Sequence, residues 1–153
     1  MSTEATARQF FSSARFAVVG ASTNPAKFGH KIFAWYIAHG LDVTPINPAG
    51  AALTVDGKEY PAVKDLTEMS DPKNTSVSVV TGPSVSVGVL NKAKELGFPS
   101  VWLQPDTFND EVLKLAREDG AFQAVVAGEG GRGSEGWCVL VDGAKALKGV
   151  GKL

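Results

Sequence analysis

The chain has 153 residues, of which 44% are hydrophobic and 20% are charged, and its formal net charge is −1. This length is enough to bury a core without disulfides or metals, and the composition is that of a soluble globular protein. Since the net charge is near zero and no long basic run occurs, we expect no nucleic-acid partner. The single cysteine, Cys138, excludes an internal disulfide and a cysteine-cluster metal site.

The sequence also bears on the compartment. Residues 1–8 are polar and lack the hydrophobic region of a secretory signal. No apolar run approaches the roughly 20 residues that a transmembrane helix needs. A lone cysteine fits a reducing compartment. We therefore expect a cytoplasmic protein with no membrane partner.

Apolar runs and helical patterns alternate along the chain in the order β-α-β-(excursion)-β-α-β-α-β, after an entry helix that ends at Phe11. The predicted strands are 16–19, 41–46, 76–80, 100–103 and 122–127. The predicted helices are 31–39, with a start near 27–30, then 84–96, which Ser84 caps, and 110–119, which Asn109 caps. Strands that alternate with helices form a mostly parallel sheet covered on both faces. We therefore predict an α/β fold: a Rossmann-like, doubly wound, three-layer α/β/α sheet.

Two segments depart from this alternation. The excursion, 52–60, contains Asp56-Gly57, which favours a small hairpin, and a short helix is predicted within 63–69. After the last strand, the glycine-dense segment 128–136 is predicted to be a flexible loop, either a lid or a disordered connector, and 137–141 a C-terminal strand. Within that strand, Cys138 is predicted to be a small buried hydrophobe rather than a reactive thiol. We treat both segments as an extension of one domain, 1–153.

The loop from Gly20 to Lys27 joins the first strand to the first long helix. A loop that leads into a helix N-terminus presents unpaired N–H groups and a partial positive charge, which attract phosphate. Ser22 and Thr23 add hydroxyl donors, and Lys27 adds a full charge. The sequence therefore predicts that this loop holds the phosphates of a nucleotide-like ligand.

Three further polar segments follow predicted strands: Asn47-Pro48, 81–84 and Gln104-Pro105. Ligands of doubly wound sheets bind at the carboxyl ends of the strands, near the point where the strand order reverses. We therefore expect these segments to converge with the 20–27 loop on one crevice. For Asn47-Pro48, a turn that merely ends a strand is an equally good interpretation.

Two common nucleotide motifs are missing from this chain. The loop lacks the G-x-G-x-x-G spacing of dinucleotide sites, and the second strand ends in Ile46-Asn47-Pro48 rather than in an acid that would bind a ribose. The P-loop motif G-x-x-x-x-G-K-[ST] does not occur either. Near the loop, His30 is a candidate general base, but the spacing identifies no carboxylate partner for it.

Five motifs together resemble the stand-alone CoA-binding domain family, which is related to the CoA-binding domain of succinyl-CoA synthetase α chains. The resemblance covers roughly residues 12–127. The motifs are V-V-G-A-S-T-N-P-A-K at 18–27, P-I-N-P at 45–48, Y-P at 60–61 with Leu66, V-V-T-G-P at 79–83, and V-W-L-Q at 101–104. The first two, about 20 residues apart, carry most of the specificity.

The resemblance implies a Rossmann-like domain that binds coenzyme A or an acyl-CoA and has no known catalytic activity. It places the phosphates against one group of residues: Gly20, Ala21, Ser22, Thr23 and Lys27. It places the adenosine end against a second group: Asn47, Pro48, Thr81, Gly82 and Pro83. Leu103 and Gln104 would lie nearer the pantetheine arm. Many relatives carry a bulky apolar residue and an arginine where this chain has Thr81-Gly82, and many end soon after the last strand.

Other functions stay open at this point. One alternative is an enzyme, either an NAD(P)-dependent oxidoreductase or another nucleotide-dependent protein. Another is an interaction protein whose ligand site is vestigial. Small domains of this kind commonly form homodimers, although nothing in the sequence locates an interface.

Overall fold

The computed structural model describes residues 2–133 and 136–152. Its helices are α1 (Glu4–Phe11), α2 (Phe28–Ala38), α3 (Pro83–Leu96), α4 (Asp110–Ala116) and α5 (Val139–Gly149). Its strands are β1 (Arg15–Val19), β2 (Val43–Ile46), β3 (Leu53–Val55), β4 (Lys58–Tyr60), β5 (Thr75–Val79), β6 (Ser100–Leu103) and β7 (Ala124–Val126). Short 3₁₀ turns occupy Leu66–Glu68 and Pro72–Asn74. Within the described ranges, no helix is both long and apolar enough to cross a bilayer.

Five of the strands form one parallel sheet in the order β2-β1-β5-β6-β7. The predicted Rossmann-like, doubly wound α/β fold is therefore confirmed. The chain runs outward from β1 to β2 on one side and from β5 to β7 on the other. The strand order thus reverses between β1 and β5, where a crevice opens at the carboxyl ends of the strands.

Helices cover both faces of the sheet, and its central strands are buried on both sides. β5 also buries Ser76 and Ser78, which hydrogen-bond to the carbonyl oxygen of Phe10 and to the Tyr36 hydroxyl. In β1, the alternate residues Phe16 and Val18 belong to one core cluster, and Ala17 and Val19 belong to the other. The first cluster packs under α1, α2 and α5, and its largest side chain is Trp102 of β6. The second lies under α3 and α4. The predicted α/β/α layers are thus present, with one hydrophobic core between the sheet and each helical layer.

The predicted hairpin is present and packs near α2. Strands β3 and β4 pair antiparallel, and the turn residues Asp56 and Gly57 have φ angles of 50° and 79°. Two positive φ angles are the signature of a type I′ turn, whose twist matches that of the flanking strands. His30 Nε2 lies 3.0 Å from the carbonyl oxygen of Thr54 and links the hairpin to α2.

The predicted C-terminal strand, 137–141, is wrong. Trp137 and Cys138 are non-helical, and α5 begins at Val139. The apolar run misled the prediction because it spans the residues before a helix and the first turn of that helix. The helical spacing of Val139, Ala146 and Leu147, all buried, sets the structure that forms. A smaller correction concerns α3, whose N-cap is Gly82 with Pro83 as its first residue, rather than Ser84.

The Tyr36 hydroxyl shares a hydrogen bond of 2.5 Å with Ser78 Oγ of β5, inside the first core. Burial raises the pKa of Tyr36 well above its ordinary value of 10.0. Above about pH 10 the unfolded chain therefore releases this proton while the folded chain keeps it, and stability falls as the pH rises. Below that pH the contribution is fully present.

We predict that Tyr36→Phe lowers the free energy of unfolding by about 1–2 kcal/mol at neutral pH, because Ser78 loses its partner. The variant should also lose less stability than the wild type between about pH 8 and about pH 11. Urea denaturation at both pH values measures this, with Tyr60→Phe as the matched control. An equal alkaline loss in wild type and Tyr36→Phe would show that another group is responsible.

Candidate functional site

The loop after β1 is folded tightly against the N-terminus of α2. Gly20, at φ 96°, turns the chain, and the N–H groups of Gly20 and Ala21 both donate to the carbonyl oxygen of Ile46 at 3.1 Å. A Cβ atom on Gly29 would lie 2.0 Å from the carbonyl oxygen of Gly20 and 3.1 Å from the nitrogen of Ser22. The first turn of α2 can therefore approach the loop only because residue 29 has no side chain.

This packing leaves donors without protein acceptors. Within residues 2–133 and 136–152, no acceptor is found for the backbone N–H groups of Ser22, Thr23, Phe28 and Gly29. The neighbouring N–H groups of Asn24 and Ala26 are held inside the loop by Ser22 Oγ and Asn24 Oδ1. The loop and the first turn of the helix thus present a group of N–H donors and the positive end of a helix dipole.

Three cavities lie along this edge of the sheet. The loop cleft, 730 Å³, is lined by residues 20–23, 26–29, 47–49, 51 and 80. The β2 cavity, 330 Å³, shares Gly20, Asn47 and Pro48 with it. The C-terminal cavity, 440 Å³, shares Phe28 and Val80 with it. Thr81 lines both the β2 cavity and the C-terminal cavity, so each of the three adjoins the other two.

The structure brings together most of the residues predicted from sequence. Those lining the loop cleft are Gly20, Ala21, Ser22, Thr23, Lys27, Asn47 and Pro48. Thr81, Gly82 and Gln104 line the C-terminal cavity. Pro83 and Leu103 line none of the three cavities. Pro83 begins α3, and Leu103 is fully buried in the second core.

Asn47 has a structural role in its turn. Its side-chain Oδ1 accepts from the N–H of Ala51, and its Nδ2 donates to the carbonyl oxygen of the same residue, each at 2.9 Å. Its own N–H donates to Val63. The side-chain amide therefore closes the 47–51 turn and shapes the wall of the cleft, as the alternative interpretation of this turn predicted.

His30 is likewise committed to the fold. Its ring is buried, and Nε2 lies within hydrogen-bond distance of Thr54 in the hairpin. This residue does not line any of the three cavities. Its observed contact is structural, and nothing in its surroundings marks it as a general base.

Several residues around the C-terminal cavity were not identified from the sequence, among them Phe28, Cys138, Leu140 and Val141. Cys138 is half-buried at the N-cap of α5, with Gln104 Nε2 donating to its Sγ at 3.2 Å. It is therefore a cavity-lining thiol rather than the fully buried hydrophobe that was predicted. The helical spacing of 139–147 would have placed Leu140 and Val141 on a helix, but no local signal brings them to this cavity.

The glycine-dense segment is held by specific contacts in its described part. Trp137 donates from its backbone N–H to Gly128 and from its indole Nε1 to Glu129. Arg132 N–H donates to the buried carboxylate of Asp142 at 2.7 Å. Residues 128–133 are therefore tied to the start of α5 and do not form a free connector. Ser134 and Glu135 lie outside the described residues.

The family model described as "CoA binding domain" matches residues 14–128 of this chain. The chain belongs to the CoA binding domain family. The match includes β1 to β7 and the loop cleft. It leaves out α1 and α5, so the α5 wall of the C-terminal cavity lies beyond the matched region of this CoA-binding domain.

One curated relative is the alpha subunit of acetate–CoA ligase (ADP-forming) I from Pyrococcus furiosus. It is 32% identical over 72 residues, which are 46% of this chain and 16% of that protein. This CoA-binding domain therefore spans only a small part of the length of that relative.

Solved structures resemble the domain over most of its length. A Thermus thermophilus protein is 26% identical, with 95% of this chain and 99% of that one covered and a TM-score of 0.72. A conserved hypothetical protein from Pyrococcus furiosus is 29% identical, with coverages of 74% and 94% and a TM-score of 0.63. A hypothetical protein from Pyrococcus horikoshii is 26% identical, with coverages of 84% and 87% and a TM-score of 0.69.

Proposed function

We propose that this domain binds CoA or an acyl-CoA with the diphosphate in the loop cleft, and that it does not itself catalyse a reaction. The observation that carries the proposal is that the loop cleft, with its phosphate-type donors, adjoins two cavities that have apolar walls. CoA likewise has a diphosphate that joins an adenosine to a long pantetheine arm.

The loop cleft supports the position of the diphosphate. The N–H groups of Ser22, Thr23, Phe28 and Gly29 are available as donors, and Lys27 lines the same cleft at the N-cap of α2. Backbone donors at a helix N-terminus together with a lysine form a common anion site in proteins.

The β2 cavity supports the position of the adenosine. Pro48 lies beside it, and Val85, a large apolar side chain that is 56% exposed, faces it from α3. A flat base against such walls would bury apolar surface on both sides. Two lysines, Lys64 and Lys92, line this cavity together with one acid, Asp65. The net positive charge of these three side chains favours the anionic 3′-phosphate of CoA.

The C-terminal cavity would take the pantetheine arm. Thr81 and Gln104 line the C-terminal cavity and offer polar groups for the amides of the arm. The structural contact of His30 with Thr54 supports a binding role without a general base at that position. The end of β2 favours CoA over NAD. An NAD site usually has an acid there that binds the ribose, whereas this chain has Asn47, whose side-chain amide is hydrogen-bonded to Ala51 within its own turn.

Calorimetric titration with CoA, acetyl-CoA, NAD⁺ and NADP⁺ in parallel tests the proposal. We expect saturable binding of CoA and no heat from either dinucleotide. Binding of NAD⁺ or NADP⁺ alone would overturn the proposal and revive the oxidoreductase interpretation. Absence of binding by all four ligands would favour an interaction protein with a vestigial site.

Lys27→Ala should weaken CoA binding by about 1–3 kcal/mol, because a charge-assisted contact with a phosphate is lost. Folding should be nearly unchanged, since Lys27 is exposed and its side chain makes no cap hydrogen bond. Lys114→Ala is the matched control. It removes the same charge from an exposed lysine on α4 that lines none of the three cavities. Equal affinities for the two variants would show that Lys27 does not contact the ligand.

A further inference from the structure

The C-terminal cavity concentrates exposed apolar surface. Four large hydrophobic side chains are exposed among the described residues, and Phe28, Leu140 and Val141 all line this one cavity. Their exposed fractions are 58%, 39% and 46%. Single exposed apolar side chains are common on protein surfaces. A group of them around a concave space indicates a ligand-binding site.

The cavity is continuous with the site proposed for CoA. Phe28 and Val80 line both the loop cleft and the C-terminal cavity. Phe28 is the first residue of α2, so its N–H faces the phosphate region while its ring borders the cavity. A ligand whose diphosphate lies in the loop cleft can therefore extend into the cavity without leaving the protein surface.

Charge around the cavity restricts what it can hold. Among the described lining residues, Asp106 is the one with an ionised side chain at neutral pH. The described lining offers no lysine or arginine to pair with a carboxylate. An acyl group that ends in a carboxylate would thus lose its water among apolar side chains near Asp106. The positive ends of the α3 and α5 dipoles, which also border the cavity, offset only part of that cost.

Two apolar residues of the cavity wall, Leu140 and Val141, lie outside the region that matches the family. Leu140 and Val141 belong to the first turn of α5, which follows residue 128, where the family match ends. Asp142, buried next to them, accepts from the N–H groups of Arg132 and Cys138 and fixes this turn in place. The two apolar side chains thus project from a fixed helix start.

We infer that the part of the C-terminal cavity lined by Leu140 and Val141 holds the acyl group of a bound thioester, beyond the pantetheine arm, and selects an uncharged, apolar acyl chain. The inference rests on the proposed binding of CoA through the loop cleft. Each methylene buried there strengthens binding by about fourfold. A medium-length saturated acyl chain therefore binds more tightly than an acetyl group, and a dicarboxylic acyl group gains nothing.

The test is a calorimetric series with CoA, acetyl-CoA, hexanoyl-CoA and succinyl-CoA on the full chain. Hexanoyl-CoA should bind at least about tenfold more tightly than acetyl-CoA, allowing for incomplete burial of its four extra methylenes. Succinyl-CoA should bind no more tightly than CoA itself. Equal affinities for hexanoyl-CoA and acetyl-CoA, or a preference for succinyl-CoA, would overturn the inference.

A variant then locates the effect. Val141→Asp should abolish the preference for hexanoyl-CoA over acetyl-CoA, because the new carboxylate lies among apolar walls and makes burial of an alkyl chain there unfavourable. Aspartate is tolerated in the first turn of a helix, so the fold should persist. Ala14→Asp adds the same charge just before β1, at the amino edge of the sheet, and should keep the preference.

The outcomes separate the two proposals. If CoA itself does not bind, the proposed function fails, and this inference fails with it. If CoA binds but the acyl series is flat, only the inference fails. A preference for hexanoyl-CoA that survives Val141→Asp would place the acyl group elsewhere. The acyl series on the wild-type protein decides the matter even if the variant does not fold.

Discussion

Gly29→Ala is expected to destabilise the domain by about 2–4 kcal/mol and to abolish measurable binding of CoA. The added Cβ would lie 2.0 Å from the carbonyl oxygen of Gly20 and 3.0 Å from its carbonyl carbon. Both are backbone atoms, so no side chain can rotate away. The loop and the helix N-terminus must then move apart, and this separates the N–H groups of Ser22 and Thr23 from those of α2.

Chemical denaturation and calorimetric titration measure the two effects. Gly88→Ala is the matched control for stability: Gly88 also lies in a helix, and its added Cβ would meet no atom within 4 Å. Because Gly88 lines the β2 cavity, affinity is compared with that of the wild type. That substitution should raise the free energy of unfolding by about 0.5–1 kcal/mol, since alanine is the better helix former. A Gly29→Ala variant that matched the wild type in stability and affinity would show that the close approach is not needed.

Asp142→Ala should lower the free energy of unfolding by about 2–4 kcal/mol. The carboxylate is 1% exposed, with Oδ1 accepting from the N–H of Arg132 at 2.7 Å and Oδ2 from the N–H of Cys138 at 3.0 Å. The variant leaves both donors without this acceptor. The start of α5 and the glycine-dense segment lose their common anchor, so the wall of the C-terminal cavity should loosen as well.

Denaturation midpoints test this prediction against Asp110→Ala as the control. Asp110 is an exposed acid in the first turn of α4, so its removal should cost only about 0.3–1 kcal/mol through the helix dipole. Asp142→Asn should fall between the two variants because it keeps one good acceptor. If the losses for Asp142→Ala and Asp110→Ala were equal, the buried carboxylate would not be the anchor that its contacts indicate.

The fold was predictable because its signals are local. Several strands of the main sheet are short apolar runs, as at 16–19, and most strands are followed by a breaker and a helical pattern. β5 is the exception in composition, since serine and valine alternate along it. Asp56-Gly57 likewise encoded its turn directly. The C-terminal helix was missed because residues 137–141 form one apolar run. The backbone is extended at Cys138 and becomes helical at Val139, in the middle of that run.

The site was predictable only in part, for a physical reason. The 20–27 loop lies between a strand and a helix in sequence, so its position at the sheet edge followed from the fold class. Phe28, Leu140 and Val141 meet only because α5 returns to the carboxyl ends of the strands, which no local pattern encodes. Leu103 was assigned to the site because it stands at the carboxyl end of β6. Its side chain points into the second core instead, since the sheet is covered on both faces there. A homodimer and a cytoplasmic location stay predictions.

Backbone NMR titration of the labelled protein with CoA tests most directly whether the loop cleft holds the diphosphate. We expect the amide signals of Ser22, Thr23, Phe28 and Gly29 to shift most on saturation, because their N–H groups would donate to the diphosphate. Signals at the amino edge of the sheet, such as Ala14, should stay in place. Saturable CoA binding with the largest shifts away from the loop cleft would show that the diphosphate lies elsewhere.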